Sequence, residues 1–219
     1  MAQFYIGVDR MARRCYGFDE IALVPGRVTI NPEEVDTSWE IDGKRYRVPI
    51  LAAAMDGVVD VKFAIAMGKL GGLAVLNLEG VQTRYDNPDD VLERIANAPP
   101  EEATRPVQGI YLEPIKEKLV SKRIEEIKKA GAPAVVSAIP QRAERFGALA
   151  QEAGIDIFVV QSTVTTVKHV SKSYKALDFY KFCKSMKVPV IIGNCVTYEV
   201  AVELLDTGAS ALLVGIGPG

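Results

Sequence analysis

Six short apolar runs, rich in β-branched residues, recur along the chain and alternate with segments of helical periodicity. Near-continuous apolar runs are typical of strands buried on both faces of a parallel sheet. The last four runs lie roughly 22–33 residues apart with a helical segment between them, which predicts a repeated βα unit. The six runs are residues 47–54, 73–77, 133–138, 155–160, 188–193 and 211–214.

The intervening segments carry helix start and stop signals. Gly71 follows the first segment as a C-terminal cap. Asn87 and Pro88 open the second, with Asn87 predicted to cap its first turn. A third segment has alternating charges, which we interpret as a solvated helix face. The predicted helices are residues 61–70, one beginning at Asn87, and residues 114–129, 141–152, 177–186 and 197–206.

The first 46 residues do not follow the βα repeat. Residues 40–46 alternate around Asp42-Gly43, which predicts a β-hairpin. We expect one domain over residues 1–219, with residues 1–46 forming a cap and hairpin and residues 47–219 forming βα units. Residues 99–104 are interpreted as a loop, and no linker between domains is predicted.

Two α/β folds are compatible with this pattern: an open, doubly wound sheet and a (β/α)₈ TIM barrel. The residues alone leave both open. If the fold is a barrel, the chain contains about the first six βα units and ends before the last two. Such a piece would have two unpaired sheet edges.

Composition narrows the class of protein. With 48% apolar and 25% charged residues and a net charge of −2, the 219-residue chain resembles an ordinary globular protein and gives no basic surface for nucleic acid. No apolar run approaches the roughly 20 residues that span a membrane, and no secretory signal is recognised. Three widely spaced cysteines indicate a reducing compartment, so a cytoplasmic protein is expected.

In parallel α/β folds, functional residues follow the carboxyl ends of the strands. Here those positions form a polar rim with few ionisable groups, and Cys195 is its candidate thiol. The lone histidine, His169, lies in a polar loop and is predicted to be a surface residue, which argues against a zinc site or a Ser-His-Asp triad. The G-x-G-x-G run at 215–219 predicts either a tight turn or close backbone approach to a ligand or cation.

Five segments of the chain resemble the IMP dehydrogenase/GMP reductase family, most closely its IMP dehydrogenase-related branch. They occur in order across nearly the whole sequence. The segments are FDEIALVPG at 18–26, PILAAAMD at 49–56, GGLAV at 71–75, VIIGNCVT at 190–197 and VGIGPG at 214–219.

The resemblance implies a (β/α)₈ barrel, a purine nucleotide substrate (IMP, XMP or GMP), NAD or NADP(H), a potassium ion and a homotetramer. It places Ala53, Met55 and Asn194 at the substrate, with Met55 packed on the base. By the same resemblance the catalytic cysteine lies just beyond Gly219, so the chain itself contains no catalytic residue. The implied cofactor contacts are Gln161, Ser162, Thr163 and Gly215, and the implied potassium ligands are the carbonyls of Gly217 and Gly219.

The chain departs from the family pattern at three points. Ala53 replaces a serine that contacts the substrate phosphate, and Gln161 replaces an aspartate that holds the cofactor ribose. The tandem regulatory insert found in many dehydrogenases after the second strand is absent. Dehydrogenase and reductase therefore both remain open, as does a non-catalytic, nucleotide-binding regulatory relative. Another phosphate-binding barrel enzyme is a further alternative.

Overall fold

The structure is a computed structural model, and it describes residues 4–5, 7–12, 16–99, 101 and 103–216. Two small antiparallel pairs come first in the chain: β1 (Phe4–Tyr5) with β2 (Met11–Ala12), and β3 (Trp39–Ile41) with β4 (Lys44–Tyr46). The second pair is the hairpin predicted around Asp42-Gly43.

Six further strands form one parallel sheet whose order follows the sequence from β5 at one edge to β10 at the other. Each strand pairs only with its neighbours in the chain, as expected when a helix connects consecutive strands. The strands are β5 (Leu51–Ala52), β6 (Leu73–Asn77), β7 (Val135–Ala138), β8 (Ile157–Gln161), β9 (Val190–Cys195) and β10 (Ala211–Val214).

Seven α-helices lie between and beside these strands in the described part of the chain. None of the described helices is both long enough and apolar enough to cross a membrane. The helices are α1 (Val61–Leu70), α2 (Pro88–Ala96), α3 (Thr104–Leu112), α4 (Glu117–Lys129), α5 (Pro140–Glu152), α6 (Phe179–Ser185) and α7 (Tyr198–Asp206).

The two faces of the sheet have different partners. Side chains on one face, such as Leu76 and Phe158, pack with helix residues including Ile124 in one large buried cluster. The alternate side chains, such as Val75 and Ile157, form a second cluster that is completed by the β3–β4 hairpin instead of by helices. This alternation follows from the two-residue period of a strand.

Sequential strand order with helices on one face decides between the two predicted folds. A doubly wound sheet reverses its strand order and carries helices on both faces. The observed sheet does neither, so it is a curled six-stranded part of a TIM barrel, as predicted, and the doubly wound alternative is wrong.

Polar contacts attach the hairpin to the amino ends of the strands. Asp156, which precedes β8, accepts hydrogen bonds from Lys44 Nζ at 2.6 Å, Lys128 Nζ at 2.8 Å and the backbone N–H of Ala134 at 2.8 Å. Burial alone would raise the pKa of Asp156, but these donors outweigh it and lower the pKa below its ordinary value.

In the first half of the chain, some strand and helix features predicted from the sequence differ from those in the structure. The first barrel strand covers only Leu51–Ala52, because Pro49 has no N–H for the ladder and a turn begins at Ala53. The predicted cap at Asn87 is wrong: its Nδ2 donates to Asp90 Oδ2 at 2.6 Å, and its side chain caps no helix N–H.

Helix α3 was not predicted. Its first turn contains Pro106, which reads as a loop signal but costs no hydrogen bond where the N–H groups lack partners. The helix predicted from residue 114 begins only at Glu117. Helix α6 is likewise shorter at both ends than the predicted 177–186, and the side chain of Asp178 caps it by accepting from the Lys181 N–H at 3.1 Å.

Candidate active site

Three predicted site residues meet at the carboxyl ends of neighbouring strands. Asn194, near the end of β9, donates from Nδ2 to the carbonyl of Gly215 at 2.7 Å and accepts from Gln161 Nε2 at 3.3 Å. Gln161 is the last residue of β8, and Gly215 directly follows β10. The side chain of Asn194 therefore connects the ends of three parallel strands.

The backbone conformation of Gly215 also allows the chain after β10 to pass close to the end of β9. Its φ of 103° lies in the region that glycine occupies without strain, and its N–H donates to the Cys195 carbonyl at 2.8 Å. The same rim needs glycine at 193, because an added Cβ there would lie 2.4 Å from Leu213 Cβ. Small residues let β9 and β10 approach closely where their register shifts.

The chain after β8 folds back onto β9. Ser162 exchanges backbone hydrogen bonds with Gly193 and Asn194, each at 3.0 Å. Thr165 is 3% exposed and donates from Oγ1 to the Gly193 carbonyl at 2.7 Å. Ser162 Oγ donates to the Val164 carbonyl at 2.8 Å, whereas Thr163 is exposed. The loop that carries the predicted cofactor residues is thus ordered by its own hydroxyl groups.

The loop after β5 presents Met55 to solvent. The Met55 N–H donates to the Ala53 carbonyl at 2.8 Å, and the Met55 carbonyl accepts from Val58 and Val59 at 2.9 Å each. This turn leaves the Met55 side chain 58% exposed, an unusual state for a thioether, and Ala53 is exposed beside it. The described hydrogen bonds do not join this loop to Asn194.

A charged network that the sequence pattern did not reveal supports the other side of the rim. Glu79 follows β6, accepts from the Ile139 N–H at 2.8 Å and forms an ion pair with Arg142, whose Nε lies 3.1 Å from Oε1, which ties Glu79 to the start of α5. Arg84 donates to the Glu79 carbonyl at 3.0 Å and to the Glu113 carbonyl. The only sequence signal was the position of Glu79 after a strand, since its two arginine partners lie on other elements.

Asp56 links the Met55 loop to α3. Its Oδ2 accepts from the Val81 N–H at 2.8 Å and from the Tyr111 hydroxyl. Burial and the hydrogen bond to Asp56 raise the pKa of Tyr111 well above its ordinary range. The Asp56–Tyr111 contact could not be recognised from sequence, because Tyr111 lies in the unpredicted helix α3.

The Cys195 side chain lies away from the rim, whereas His169 lines a surface pocket together with Ser162, one of the predicted cofactor residues. Cys195 is 1% exposed and packs in the cluster between the sheet and the helices, so the possible functional role of its thiol at the rim has no geometric support. His169 is exposed and stacks on Tyr174, with 2.7 Å between Nε2 and the phenol oxygen, as expected for a surface histidine. The described residues contain no cluster of three or more His, Cys, Asp or Glu side chains suited to a metal.

The residues present fit part of a nicotinamide cofactor. The Gln161 amide and the Ser162 and Thr163 hydroxyls at the end of β8 are groups that hydrogen-bond sugar hydroxyls. The predicted potassium ligands Gly217 and Gly219 lie outside the described residues. The nearby Gly215 carbonyl already accepts from Asn194.

Sequential parallel strands, helices on the outer face and polar, glycine-containing strand ends make the carboxyl-terminal face of the TIM-barrel sheet the candidate site. The sequence model of the family described as "IMP dehydrogenase / GMP reductase domain" matches residues 15–219. The chain belongs to this family.

The chain is similar to proteins of different kinds within that family. An uncharacterized oxidoreductase of Mycolicibacterium smegmatis is 34% identical over 217 residues, covering 97% of this chain and 58% of the relative. Inosine-5'-monophosphate dehydrogenase of Cryptosporidium parvum is 28% identical over 92% of this chain and 51% of its own length.

A solved structure of an IMP dehydrogenase/GMP reductase-like protein from Corynebacterium glutamicum has 33% identity and a TM-score of 0.91. The match covers 98% of this chain and 58% of that structure. The chain thus spans little more than half the length of these relatives.

Proposed function

We propose that the protein is an NAD(P)-dependent purine nucleotide oxidoreductase that acts at purine C2 of IMP or GMP. The observation that carries this proposal is the side chain of Asn194, which joins the ends of β8, β9 and β10 at the face where barrel enzymes bind substrates. Family membership supports the same reaction class.

Met55, Ala53 and Asn194 are the proposed substrate contacts. The exposed thioether of Met55 packs against the planar base, since sulfur makes favourable contacts with aromatic rings. Ala53 has no hydroxyl to offer a phosphate, so phosphate binding relies on backbone N–H groups and on residues of other segments. Asn194 positions the residue after β10 through its hydrogen bond to Gly215.

Gln161, Ser162, Thr163 and Gly215 are the proposed cofactor contacts. The nicotinamide group would accept hydride from C2 or deliver it there. An amide at 161 offers a neutral acceptor to a ribose hydroxyl where the family usually has a carboxylate, so we expect weaker cofactor binding. Potassium is proposed at the carbonyls of Gly217 and Gly219.

The catalytic nucleophile is proposed to be a cysteine just beyond Gly219. Whether hydride leaves C2, as in the dehydrogenase, or arrives there with loss of ammonia, as in the reductase, depends on residues after that cysteine. We further propose that residues 1–219 belong to one catalytic barrel domain and that the full-length protein is a cytoplasmic homotetramer.

The reaction is tested with the full-length protein by following nicotinamide absorbance at about 340 nm. IMP with NAD should raise the absorbance if the protein is a dehydrogenase, and GMP with NADPH should lower it if it is a reductase. Replacing potassium by lithium in the buffer should lower the rate of whichever of these two reactions is observed. Absence of turnover in both directions with every cofactor pair would overturn the proposal.

A second candidate is a non-catalytic, nucleotide-binding regulatory relative, and Ala53 and Gln161 are the residues that favour it. Ala53 lacks the hydroxyl that the family usually places on the substrate phosphate, and Gln161 replaces the family's carboxylate at the cofactor by a neutral amide. Calorimetric titration distinguishes the candidates: IMP or GMP binding without turnover supports the regulatory relative. A protein that neither binds nor turns over these nucleotides contradicts both.

A further inference from the structure

A second pocket adjoins the strand-end rim, between α1, α2, α3 and the loop after β5. It encloses about 550 Å³, within the roughly 300–1,000 Å³ that is usual for small-molecule sites. No proposed substrate or cofactor contact lines it. The lining residues are Asp56, Gly57, Val58, Asp60, Phe63, Leu92, Ile95, Ala96, Val107 and Tyr111.

The walls of this pocket are mainly apolar. Phe63 and Val58 are each 41% exposed, and Val107 and Leu92 of the two facing helices lie only partly buried around the same space. Unpartnered apolar surface in a concave site favours a ligand with an apolar body, since burial stabilises the complex by about 25 cal/mol per Å².

The charged groups of the pocket are of one sign. Asp56 and Asp60 are its acidic residues, and no lysine or arginine lines it among the described residues. Arg84 lies outside the lining, with its guanidinium 5.6 Å from the centre of the Tyr111 ring, and its Nε and Nη1 donate to the Glu79 and Glu113 carbonyls. A cation in the pocket therefore meets two carboxylates, and the nearby protein cations, Arg84 and the Lys62 that interacts electrostatically with Asp60, lie outside the lining.

Only one of the two carboxylate oxygens of Asp56 accepts hydrogen bonds. Oδ2 receives two hydrogen bonds, from Val81 and Tyr111, but Oδ1 is buried, packs against Gly80 and receives none. An under-compensated carboxylate in a partly apolar site attracts a nearby positive charge more strongly than one in water. Electrostatics and shape thus favour the same kind of ligand.

We propose that the pocket between α1, α2 and α3 binds a small organic cation with an apolar, ring-containing body and one protonated amine. The apolar body lies against Phe63, Val107 and the α2 side chains, and the ammonium group lies toward Asp56 and Asp60. Its lining shares no residue with the proposed nucleotide site, and its occupancy does not depend on the protein being an oxidoreductase.

The ligand class is tested with three indoles of similar size but different charge. Tryptamine is a cation, tryptophol is neutral, and indole-3-propionate is an anion. Titrations of the full-length protein by calorimetry should rank tryptamine first, with at least about a tenfold lower Kd than indole-3-propionate. Equal affinity for the three probes, or no saturable tryptamine binding, would overturn the proposal.

Variants locate the binding to this pocket. Val107→Trp fills the space and should weaken tryptamine binding by at least about tenfold. Leu112→Trp adds the same side chain on α3 at a position that is 83% exposed and outside the pocket, and should leave Kd unchanged. If both tryptophan variants bind tryptamine as the unmodified protein does, the probe binds elsewhere and the proposal is wrong.

A charge variant tests the role of the carboxylates. Asp60→Asn retains the cap of α1, which Asp60 now provides by accepting from the Phe63 N–H at 2.6 Å. It should weaken tryptamine binding by about three- to tenfold and leave tryptophol unchanged. Equal changes for both probes would show that charge does not select the ligand. Melting temperatures of all variants report whether the fold is kept.

Discussion

The Asn194 side chain donates a 2.7 Å hydrogen bond to the carbonyl of Gly215, across 21 residues of sequence. One end of this bond is on β9 and the other immediately follows β10, where the glycine-rich segment begins. Asn194 also accepts from Gln161. The Asn194 amide therefore adds side-chain links between the ends of β8, β9 and β10 within the proposed nucleotide site.

Asn194→Ala should weaken nucleotide and cofactor binding by about three- to tenfold, the loss expected for one net hydrogen bond of roughly 0.5–1.5 kcal/mol. Asn194→Asp is the matched control for size, because it keeps an acceptor for Gln161 but loses the donor to Gly215. Kd values from titration of IMP, GMP and NAD(P) check the prediction. An Asn194→Asp variant with unchanged affinity for all of them would contradict the importance of the Gly215 contact.

Gly193→Ala should destabilise the protein by about 1–3 kcal/mol, because the new Cβ would lie 2.4 Å from Leu213 Cβ in a packed strand pair. Gly109→Ala is the control: it lies in α3 with no atom within 4 Å of the added Cβ, and should be neutral or slightly stabilising. Leu213→Ala combined with Gly193→Ala should recover little of the loss, because alanine at 213 keeps the Cβ that the new methyl group would meet. Chemical denaturation measures all three variants.

The sheet was largely predictable from sequence, whereas the contacts around its rim were not. Apolar runs and helical spacers locate all six strands, and the strand-end rule brings Gln161, Asn194 and Gly215 together. Tyr111 escaped notice because its helix contains Pro106 and its partner Asp56 is 55 residues away. Local patterns report burial and turn chemistry, but pairings between distant side chains depend on how helices pack.

Asp156 should make stability depend on acidic pH. Its pKa is lowered in the folded protein, so its contribution is fully present above the ordinary pKa of 3.8 and is lost as pH falls through the folded-state pKa. Asp156→Asn should reduce the free energy of unfolding at neutral pH by about 1–3 kcal/mol, since it removes the charge that holds Lys44 and Lys128.

Urea unfolding of the full-length protein at a series of pH values checks the Asp156 prediction. The stability difference between the unmodified protein and Asp156→Asn should shrink as the pH decreases toward about 3. Asp36→Asn is the control for a carboxylate in a fully exposed pair with Arg45, and should have little effect. A difference between unmodified and Asp156→Asn protein that stays constant with pH would show that Asp156 acts by packing alone.

Tyr111 is 38% exposed, yet it should remain protonated at pH values where tyrosines without a carboxylate partner ionise. Burial and the hydrogen bond to Asp56 raise its pKa, so its stabilising contribution is fully present below the unfolded-state pKa of about 10 and is lost as pH rises above it. Tyr111→Phe should cost about 0.5–1.5 kcal/mol at neutral pH and reduce the decline in stability at alkaline pH. Tyr198→Phe, at a position 79% exposed, serves as the control. Ultraviolet titration of the phenols measures which ionisation step each variant loses. If Tyr111→Phe and Tyr198→Phe lose a step at the same pH, the contact with Asp56 does not keep Tyr111 protonated.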